Sequence, residues 1–256
     1  MKNKIEMLLF DLDDTLLNSK KEITKRTVSA INKVHNNGIL IGYITTRSPR
    51  KVKEYLKDLP CDAIAYYSGA KVLCNDSVIS NICIPFSEGI KLIEGMKEKD
   101  SSCRITAYFE PYHLFRNNIY LMGEPEKSYS LHEIEPYDFQ RIIITSENNS
   151  IDKELISDRM KMVLTKHGNV VITHKEANKG NAVIKIAANL GVDLENIAAF
   201  GDDINDIDMF KVCKMKIAMA NAVDELKEIA DDITDSNDNE GIANWIEKNM
   251  NLKHQV

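Results

Sequence analysis

Short apolar runs alternate with amphipathic segments through about the first seventy residues. The runs at 7–10, 39–44 and 63–66 have the length and the apolar content of buried strands. Between them, segments 24–37 and 48–59 place apolar residues three and four positions apart, as one face of a helix does. Strands that alternate with helices across short connections predict a parallel sheet with helices on both faces.

The same alternation returns near the carboxyl end of the chain. It predicts, in order, a helix at 180–190, strands at 197–200 and 216–219, a helix at 223–229, a strand at 232–234 and a last helix at 241–249. We therefore assign residues 1–82 and 176–256 to one α/β core domain, whose sheet is built from both ends of the chain.

The pattern changes between residues 83 and 175. Strand-like segments here alternate apolar and polar residues, which is typical of a sheet with one face in water. The predicted elements are strands at 104–110, 141–145 and 170–174 and helices at 87–99 and 151–167. We interpret residues 83–175 as an α+β domain inserted into the core domain.

Charge and composition narrow the function. A net charge of −6 argues against a nucleic-acid binder, which would carry a basic patch, but it permits phosphorylated small molecules. The five cysteines are odd in number and lack C-x-x-C spacing, which indicates a reduced, cytoplasmic chain. Because no apolar run approaches the roughly 18 residues of a membrane helix, we predict no membrane contact. The sequence does not indicate the oligomeric state.

Two clusters of acidic residues follow predicted strands. Asp11 and Asp13 come directly after the strand at 7–10, and Asp202 and Asp206 come after the strand at 197–200. Because ligands bind at the carboxyl ends of strands in an open parallel sheet, both clusters can meet in one pocket. Carboxylate oxygens are the ligands that Mg²⁺ prefers, and Mg²⁺ sites commonly hold phosphate groups.

Two further segments place a polar or charged residue where a predicted strand ends or a predicted helix begins. Thr45 ends the second strand, and Lys179 with Gly180 opens a helix. Together with the two acidic clusters, and in this order, these segments resemble the four motifs of the haloacid dehalogenase-like superfamily. Segments 218–227 and 238–241 resemble the closing part of its Cof-type branch, the class IIB hydrolases.

The resemblance also places the inserted domain. Only 34 residues separate Asp11 from Thr45, whereas 134 separate Thr45 from Lys179. A cap domain therefore has room only in the second gap, which is the class II arrangement. The resemblance thus implies a Rossmann-like core with helices on both faces of a parallel sheet and an inserted α+β cap.

The resemblance implies a Mg²⁺-dependent phosphatase that hydrolyses small phosphomonoesters through an aspartyl-phosphate. Asp11 would be the nucleophile, and Asp13 would protonate the leaving alcohol and then deprotonate the attacking water. Mg²⁺ would be held by Asp11 and Asp202, by the Asp13 backbone carbonyl, and by Asp206 directly or through water. The residues expected to bind the transferring phosphate are Leu12, Thr45, Thr46, Lys179 and Asn205.

Substrate preference is the least determined property. Thr46 stands where relatives usually have glycine, which puts rate and preference in doubt. In the insert, Arg116, His174 and Lys175 are our candidates for contacts with the rest of a phosphorylated small molecule, such as a sugar phosphate. A sugar phosphomutase built on the same core, and a catalytically silent binding protein, are the alternatives.

Overall fold

The computed structural model describes residues 4–115, 118–121, 124–130, 133, 135–146, 151–165 and 168–250. These residues form two compact units, one of Met1–Ser80 with Asn178–Val256 and the other of Asn81–Ala177. The predicted domain limits of 83 and 175 each differ from this division by two residues. No helix in the described ranges is both long enough and apolar enough to cross a membrane.

The secondary-structure elements follow one another along the chain with short connections. The strands are β1 (Met7–Phe10), β2 (Leu40–Ile44), β3 (Ala63–Tyr66), β4 (Lys71–Cys74), β5 (Ser77–Asn81), β6 (Arg104–Phe109), β7 (Tyr112–Phe115), β8 (Asn118–Leu121), β9 (Glu124–Tyr129), β10 (Arg141–Thr145), β11 (Met160–Leu164), β12 (Val170–His174), β13 (Ile197–Gly201), β14 (Met215–Ala218) and β15 (Asp232–Ile233). The helices are α1 (Lys25–Asn36), α2 (Pro49–Val52), α3 (Phe86–Lys99), α4 (Lys179–Leu190), α5 (Ile207–Val212), α6 (Asp224–Lys227) and α7 (Gly241–Asn249).

The first unit is built on a sheet with the strand order β15-β14-β13-β1-β2-β3-β4-β5. Neighbouring strands from β15 to β3 are parallel, and β4 runs antiparallel to β3. Strand β1 lies inside the sheet because β2 to β5 are added on one side of it, and the chain returns from the second unit to add β13 to β15 on the other side. The predicted Rossmann-like parallel sheet is therefore confirmed.

Successive residues of β1 point to opposite faces of the sheet, and both faces are covered. Leu8 and Phe10 belong to one apolar cluster, together with residues of α1 and α7. Met7 and Leu9 belong to a second cluster, together with residues of α4 and α5. This double burial explains why β1 is apolar throughout, and it confirms the helices predicted on both faces.

The second unit has an antiparallel sheet with the strand order β11-β12-β10-β6-β7-β8-β9. Helix α3 packs on one face through Leu92, Ile93 and Met96, against inward residues such as Ile105 and Ile142. The opposite face is only partly buried, which matches the alternating pattern of the sequence.

The predicted helix at 151–167 is wrong. Lys153–Leu155 forms a single 3₁₀ turn, and Met160–Leu164 is the edge strand β11, which pairs antiparallel with β12. Met162, Val163 and Leu164 are consecutive, apolar and exposed at the sheet edge, so this segment lacks the alternation that would have indicated a strand.

Candidate active site

The register of the central strands brings the two acidic segments together. Strands β1 and β13 are parallel neighbours, with Phe10 opposite Phe200. The Asp11 backbone N–H donates to the Phe200 carbonyl at 3.1 Å, which extends the pairing by one residue. Asp11 and Asp202 therefore leave the sheet side by side at its carboxyl edge, as the sequence predicted.

Lys179 joins the two segments through its ammonium group. Helix α4 begins at this residue because Asn178 caps it, accepting a hydrogen bond from the Asn181 N–H. The Lys179 Nζ donates to Asp11 Oδ1 at 2.6 Å and to Asp206 Oδ1 at 2.5 Å. Lys179 is 1% exposed, so this ion pair is shielded from water.

Two glycines permit the close approaches that this site needs. A Cβ on Gly180 would lie 2.4 Å from the Asp208 carbonyl oxygen, so only glycine lets α4 start this close to α5. A Cβ on Gly201 would lie 2.7 Å from the Asp206 Cβ. The Asp206 carboxylate folds back over Gly201 and accepts hydrogen bonds from the Asp202 and Asp203 N–H groups, at 3.0 and 3.1 Å.

The buried carboxylates have the composition of a divalent metal site. Among the residues that the structure describes, Asp11, Asp202 and Asp206 each offer an oxygen within 4.8 Å of the others. Three carboxylates with the single Lys179 ammonium leave two uncompensated negative charges when all are ionised, and a divalent cation would balance them. The oxygen-only donor set fits a hard cation such as Mg²⁺.

Burial and mutual repulsion raise the pKa values of Asp11 and Asp202. Burial is the largest cause for Asp11, whose pKa lies well above its ordinary value although the Lys179 charge opposes the shift. Burial and the charge of Asp206 raise the pKa of Asp202 to about 7, against a hydrogen bond from the Thr15 hydroxyl at 2.8 Å. For Lys179, burial lowers the pKa, but the charges of Asp11 and Asp206 outweigh burial and raise it overall.

Asp13 lies two residues from Asp11 but has a different environment. Its side chain is 34% exposed and accepts two hydrogen bonds from Arg47, from Nε at 2.7 Å and from Nη2 at 2.5 Å. Lys21 Nζ lies 3.3 Å away. Burial alone would raise the pKa of Asp13, but the hydrogen bonds and charge of Arg47 lower it below the ordinary value.

The Arg47 side chain is itself held in place. Its guanidinium lies 4.9 Å from the centre of the Tyr55 ring, and Nη1 donates to the Tyr55 hydroxyl at 3.2 Å. Its backbone N–H donates to Thr45 Oγ1 at 3.1 Å. Arg47 therefore links the Asp13 carboxylate to the loop that follows β2.

The residues predicted to bind phosphate lie on three loops of this unit and, for Lys179, at the first position of α4. Thr45 is fully buried directly after β2, and Thr46 follows it partly buried. Leu12 packs its side chain into the core, so only its backbone can contact a ligand. Asn205 is exposed in the short 3₁₀ helix Ile204–Asp206, in the same loop as Asp202.

The predicted specificity residues are not brought to this cluster by any described contact. His174 ends β12 in the second unit, where its Nδ1 accepts from the Glu176 N–H at 3.2 Å. Lys175 is exposed, and its N–H donates to the Arg159 carbonyl at 2.8 Å. Arg116 lies outside the described residues.

The sequence prediction gave no role to Thr15, Arg47 or Tyr55. Thr15 and Arg47 each lie two residues beyond a predicted site residue, Asp13 in one case and Thr45 in the other, and that spacing is a usable signal. Tyr55 has no such signal, because its spacing also suits an ordinary helical core position.

Comparisons with known proteins agree with this geometry. The model of the haloacid dehalogenase-like hydrolase family matches residues 8–246, so this chain belongs to that family. The 5-amino-6-(5-phospho-D-ribitylamino)uracil phosphatase YwtE of Bacillus subtilis is 29% identical over an alignment of 285 positions, gaps included, which covers 95% of this chain and 98% of the relative. The predicted superfamily and the predicted enzyme class, a phosphatase, are thereby confirmed.

Solved structures of the family share the fold along the whole chain. A haloacid dehalogenase-like hydrolase from Bacteroides thetaiotaomicron superposes with a TM-score of 0.84 at 22% identity, covering 96% of this chain and 99% of that one. The subclass IIB sugar phosphatase BT4131 superposes with a TM-score of 0.75 at 23% identity, covering 95% and 98%.

Proposed function

We propose that this protein is a Mg²⁺-dependent phosphatase that hydrolyses small phosphomonoesters through an aspartyl-phosphate on Asp11. The observation that carries the proposal is the buried carboxylate of Asp11, hydrogen-bonded to Lys179 and placed beside Asp202 and Asp206. A carboxylate can attack phosphorus only if its negative charge is offset, since a phosphate dianion would otherwise be repelled.

Asp11, Asp202 and Asp206 would hold the metal through their side chains, and we propose the Asp13 carbonyl as a further ligand. When bound, Mg²⁺ supplies positive charge that neutralises the phosphate oxygens and the nucleophile. Lys179 contributes a second positive charge, 2.6 Å from Asp11 Oδ1. Because Asp11 is buried with a raised pKa, these two charges also keep its reactive form ionised.

In the first step, an Asp11 oxygen forms a bond to phosphorus while the bond from phosphorus to the leaving oxygen breaks. Protonated Asp13 gives its proton to that oxygen. In the second step, water attacks the phosphorus of the aspartyl-phosphate, Asp13 takes the proton of the water, and the Asp11 carboxylate is released. The contact with Arg47 favours the ionised form of Asp13, which suits the second step. In the first step, Asp13 must take up a proton before it can donate.

We propose that Thr45, the Thr46 N–H, Lys179 and Asn205 bind the transferring phosphate, with the Leu12 backbone alongside. Thr45 and Thr46 lie on the loop that also carries Arg47, which contacts Asp13, and Asn205 lies on the loop of Asp202. Lys179, the first residue of α4, contacts Asp11 and Asp206 directly. Such preorganised donors stabilise the charge that develops on phosphoryl transfer.

For the substrate we propose a phosphorylated sugar or a similar metabolite, selected by the insert at 83–175 as a cap domain. The relative YwtE is named for a phosphorylated ribitylamino-uracil, which carries a sugar-alcohol phosphate. That name supports a polyol phosphate as the first class of substrate to test.

The test is phosphate release from a panel of sugar phosphates, polyol phosphates, nucleotides and p-nitrophenyl phosphate, with Mg²⁺ or with excess EDTA. We expect release with Mg²⁺, loss of release with EDTA and recovery when Mg²⁺ is returned. Activity that survives chelation would contradict the metal assignment. Conversion of one sugar phosphate into its isomer, dependent on a sugar bisphosphate, would instead indicate a phosphomutase.

A further inference from the structure

The turn after β1 contains a strained residue. Asp14 has a φ of +62°, a left-handed conformation that residues other than glycine seldom adopt. Such strain persists only where surrounding contacts hold the backbone in place, and it concentrates at functional sites. The contacts that hold Asp14 therefore also fix the backbone next to Asp13.

The carbonyl of Asp14 is held by Asn221, which lies 207 residues further along the chain. Asn221 Nδ2 donates to the Asp14 carbonyl at 2.8 Å. Asn221 belongs to the segment 218–227, which resembles the closing part of the Cof-type branch. No residue of this segment has a role in the proposed reaction. The segment thus contacts the catalytic turn directly, between the end of β14 and the start of α6.

A second asparagine extends the same contact. The Asn221 Oδ1 accepts from the Asn237 N–H at 3.0 Å, and Asn237 Nδ2 donates to the Leu17 carbonyl at 3.0 Å. Two carbonyls of the turn, those of Asp14 and Leu17, are therefore bound by two linked asparagine side chains. The turn is fixed at both ends by the carboxyl-terminal part of the first unit.

The held segment carries groups of the reaction on either side of Asp14. Asp13 precedes it, and Thr15 follows it and donates to Asp202 Oδ1 at 2.8 Å. Rotation of the Asp14 backbone would move both side chains at once. Displacement of a reacting group by about 1 Å can lower a rate by about 10²-fold.

We propose that Asn221 is a positioning residue for catalysis, which fixes Asp13 and Thr15 by holding the Asp14 carbonyl. This proposal rests on the proposed phosphatase function. Asn221 acts through the backbone of Asp14, so its loss should lower kcat and leave the binding of substrate nearly unchanged.

The test compares Asn221→Ala with wild type on p-nitrophenyl phosphate at saturating Mg²⁺. We expect kcat to fall about 10- to 100-fold, with KM within about threefold of wild type. The matched control is Asn244→Ala. Asn244 Nδ2 also donates to two oxygens in this region, Asp235 Oδ2 at 2.7 Å and the Asn239 carbonyl at 3.0 Å, but Asn244 has no described contact with residues 11–17. Its kcat should stay within about twofold of wild type.

Asn221→Asp separates the two contacts of the side chain, because a carboxylate can accept from Asn237 but cannot donate to the Asp14 carbonyl. We expect its kcat to fall as far as that of Asn221→Ala, with a thermal unfolding midpoint close to that of Asn244→Ala. This near-isosteric variant also carries the test if Asn221→Ala does not fold. A kcat within about twofold of wild type for a folded Asn221 variant, or an equal loss in Asn244→Ala, would overturn the proposal. A wild-type protein that releases no phosphate would instead overturn the proposed function.

Discussion

Asp11 and Asp13 are two residues apart, yet their environments shift their pKa values in opposite directions. Asp11 is buried beside two other carboxylates and one ammonium, and its pKa is raised. Asp13 is one third exposed and paired with a guanidinium, and its pKa is lowered. Separated pKa values in one site allow different roles in catalysis. Burial with a shared cation suits the metal-binding and nucleophilic roles that we propose for the Asp11 cluster, whereas partial exposure and pairing with Arg47 suit the proton transfer that we propose for Asp13.

The largest loss of activity is expected when the buried Asp11 is substituted. Asp11→Asn removes the nucleophile with almost no change of shape, so kcat/KM should fall about 10⁴-fold or more. The measurement is phosphate release at saturating Mg²⁺, with circular dichroism to show that the fold is retained. The control is Asp224→Asn, a side chain that is 94% exposed, which should keep wild-type activity. Activity of Asp11→Asn within tenfold of wild type would rule out the nucleophile assignment.

The raised pKa of Asp202 predicts that protons compete with the metal. Below a pH of about 7, the metal-free protein holds a proton on Asp202 that Mg²⁺ must displace, so Mg²⁺ affinity should fall up to about tenfold per pH unit as the pH drops. Above that pH, Asp202 no longer holds a proton that competes with the metal. Calorimetric titration with Mg²⁺ between pH 6 and about 8.5 measures this dependence.

Thr15→Val sharpens the same measurement. The Thr15 hydroxyl lowers the pKa of Asp202 by donating a hydrogen bond to it, so removing the hydroxyl should raise that pKa. The pH below which Mg²⁺ affinity falls should then be higher in Thr15→Val than in wild type. A Mg²⁺ affinity that is independent of pH in both proteins would show that Asp202 is ionised throughout the range, against the account of the buried cluster.

The smallest effect is expected on stability, when the partly exposed pair of Asp13 and Arg47 is broken. Arg47→Gln removes the charge that lowers the pKa of Asp13, so that pKa should return toward its ordinary value of 3.8. A lowered pKa stabilises the folded state above the unfolded-state value, and this stabilisation is lost as the pH falls through the folded-state value. The free energy of unfolding of wild type should therefore exceed that of Arg47→Gln by about 1 kcal/mol or less at neutral pH, since the pair is partly exposed.

Urea denaturation at pH 7 and at about pH 3 checks this difference. The difference should shrink at the lower pH, because the stabilisation that a lowered pKa of Asp13 supplies is lost progressively as the pH falls below the unfolded-state pKa. A difference between the two proteins that stays the same at both pH values would show that Arg47 stabilises the fold by packing on Tyr55 and not by its charge.

The core domain was predictable because its physics is local and repetitive. Strands buried on both faces are continuously apolar, and such runs predict the strands at Met7–Phe10 and Ile197–Gly201. Parallel pairing then places the next residues, Asp11 and Asp202, at one edge without further information. Lys179 could be included because its place before Gly180, between the two acidic clusters, resembles a motif of the superfamily.

The insert was harder to predict because its strands are buried mainly on one face, so their apolar residues do not form continuous runs. Strands β7, β8 and β9 between Tyr112 and Tyr129 gave no separate signal, and β11 was taken for part of a helix. In these segments, pairing with a neighbouring strand decides the conformation, and the sequence pattern does not reveal that neighbour.

The pairing of Asp13 with Arg47 was also not predicted from the sequence. It depends on the direction of two side chains from different loops, which neither periodicity nor spacing determines. The same holds for Asn221, whose contact with Asp14 joins positions 207 residues apart. Contacts of this kind become visible only when the strand register has brought the loops together.

The most direct test of the central claim is to trap the covalent intermediate on Asp11. Wild-type protein with Mg²⁺ is mixed with a ³²P-labelled substrate from the panel and quenched in acid within milliseconds, and the labelled peptide is identified. The account predicts a label on the peptide that contains Asp11, released by hydroxylamine and absent from Asp11→Asn. Label on another residue, or turnover with no trapped label at any quench time, would contradict it.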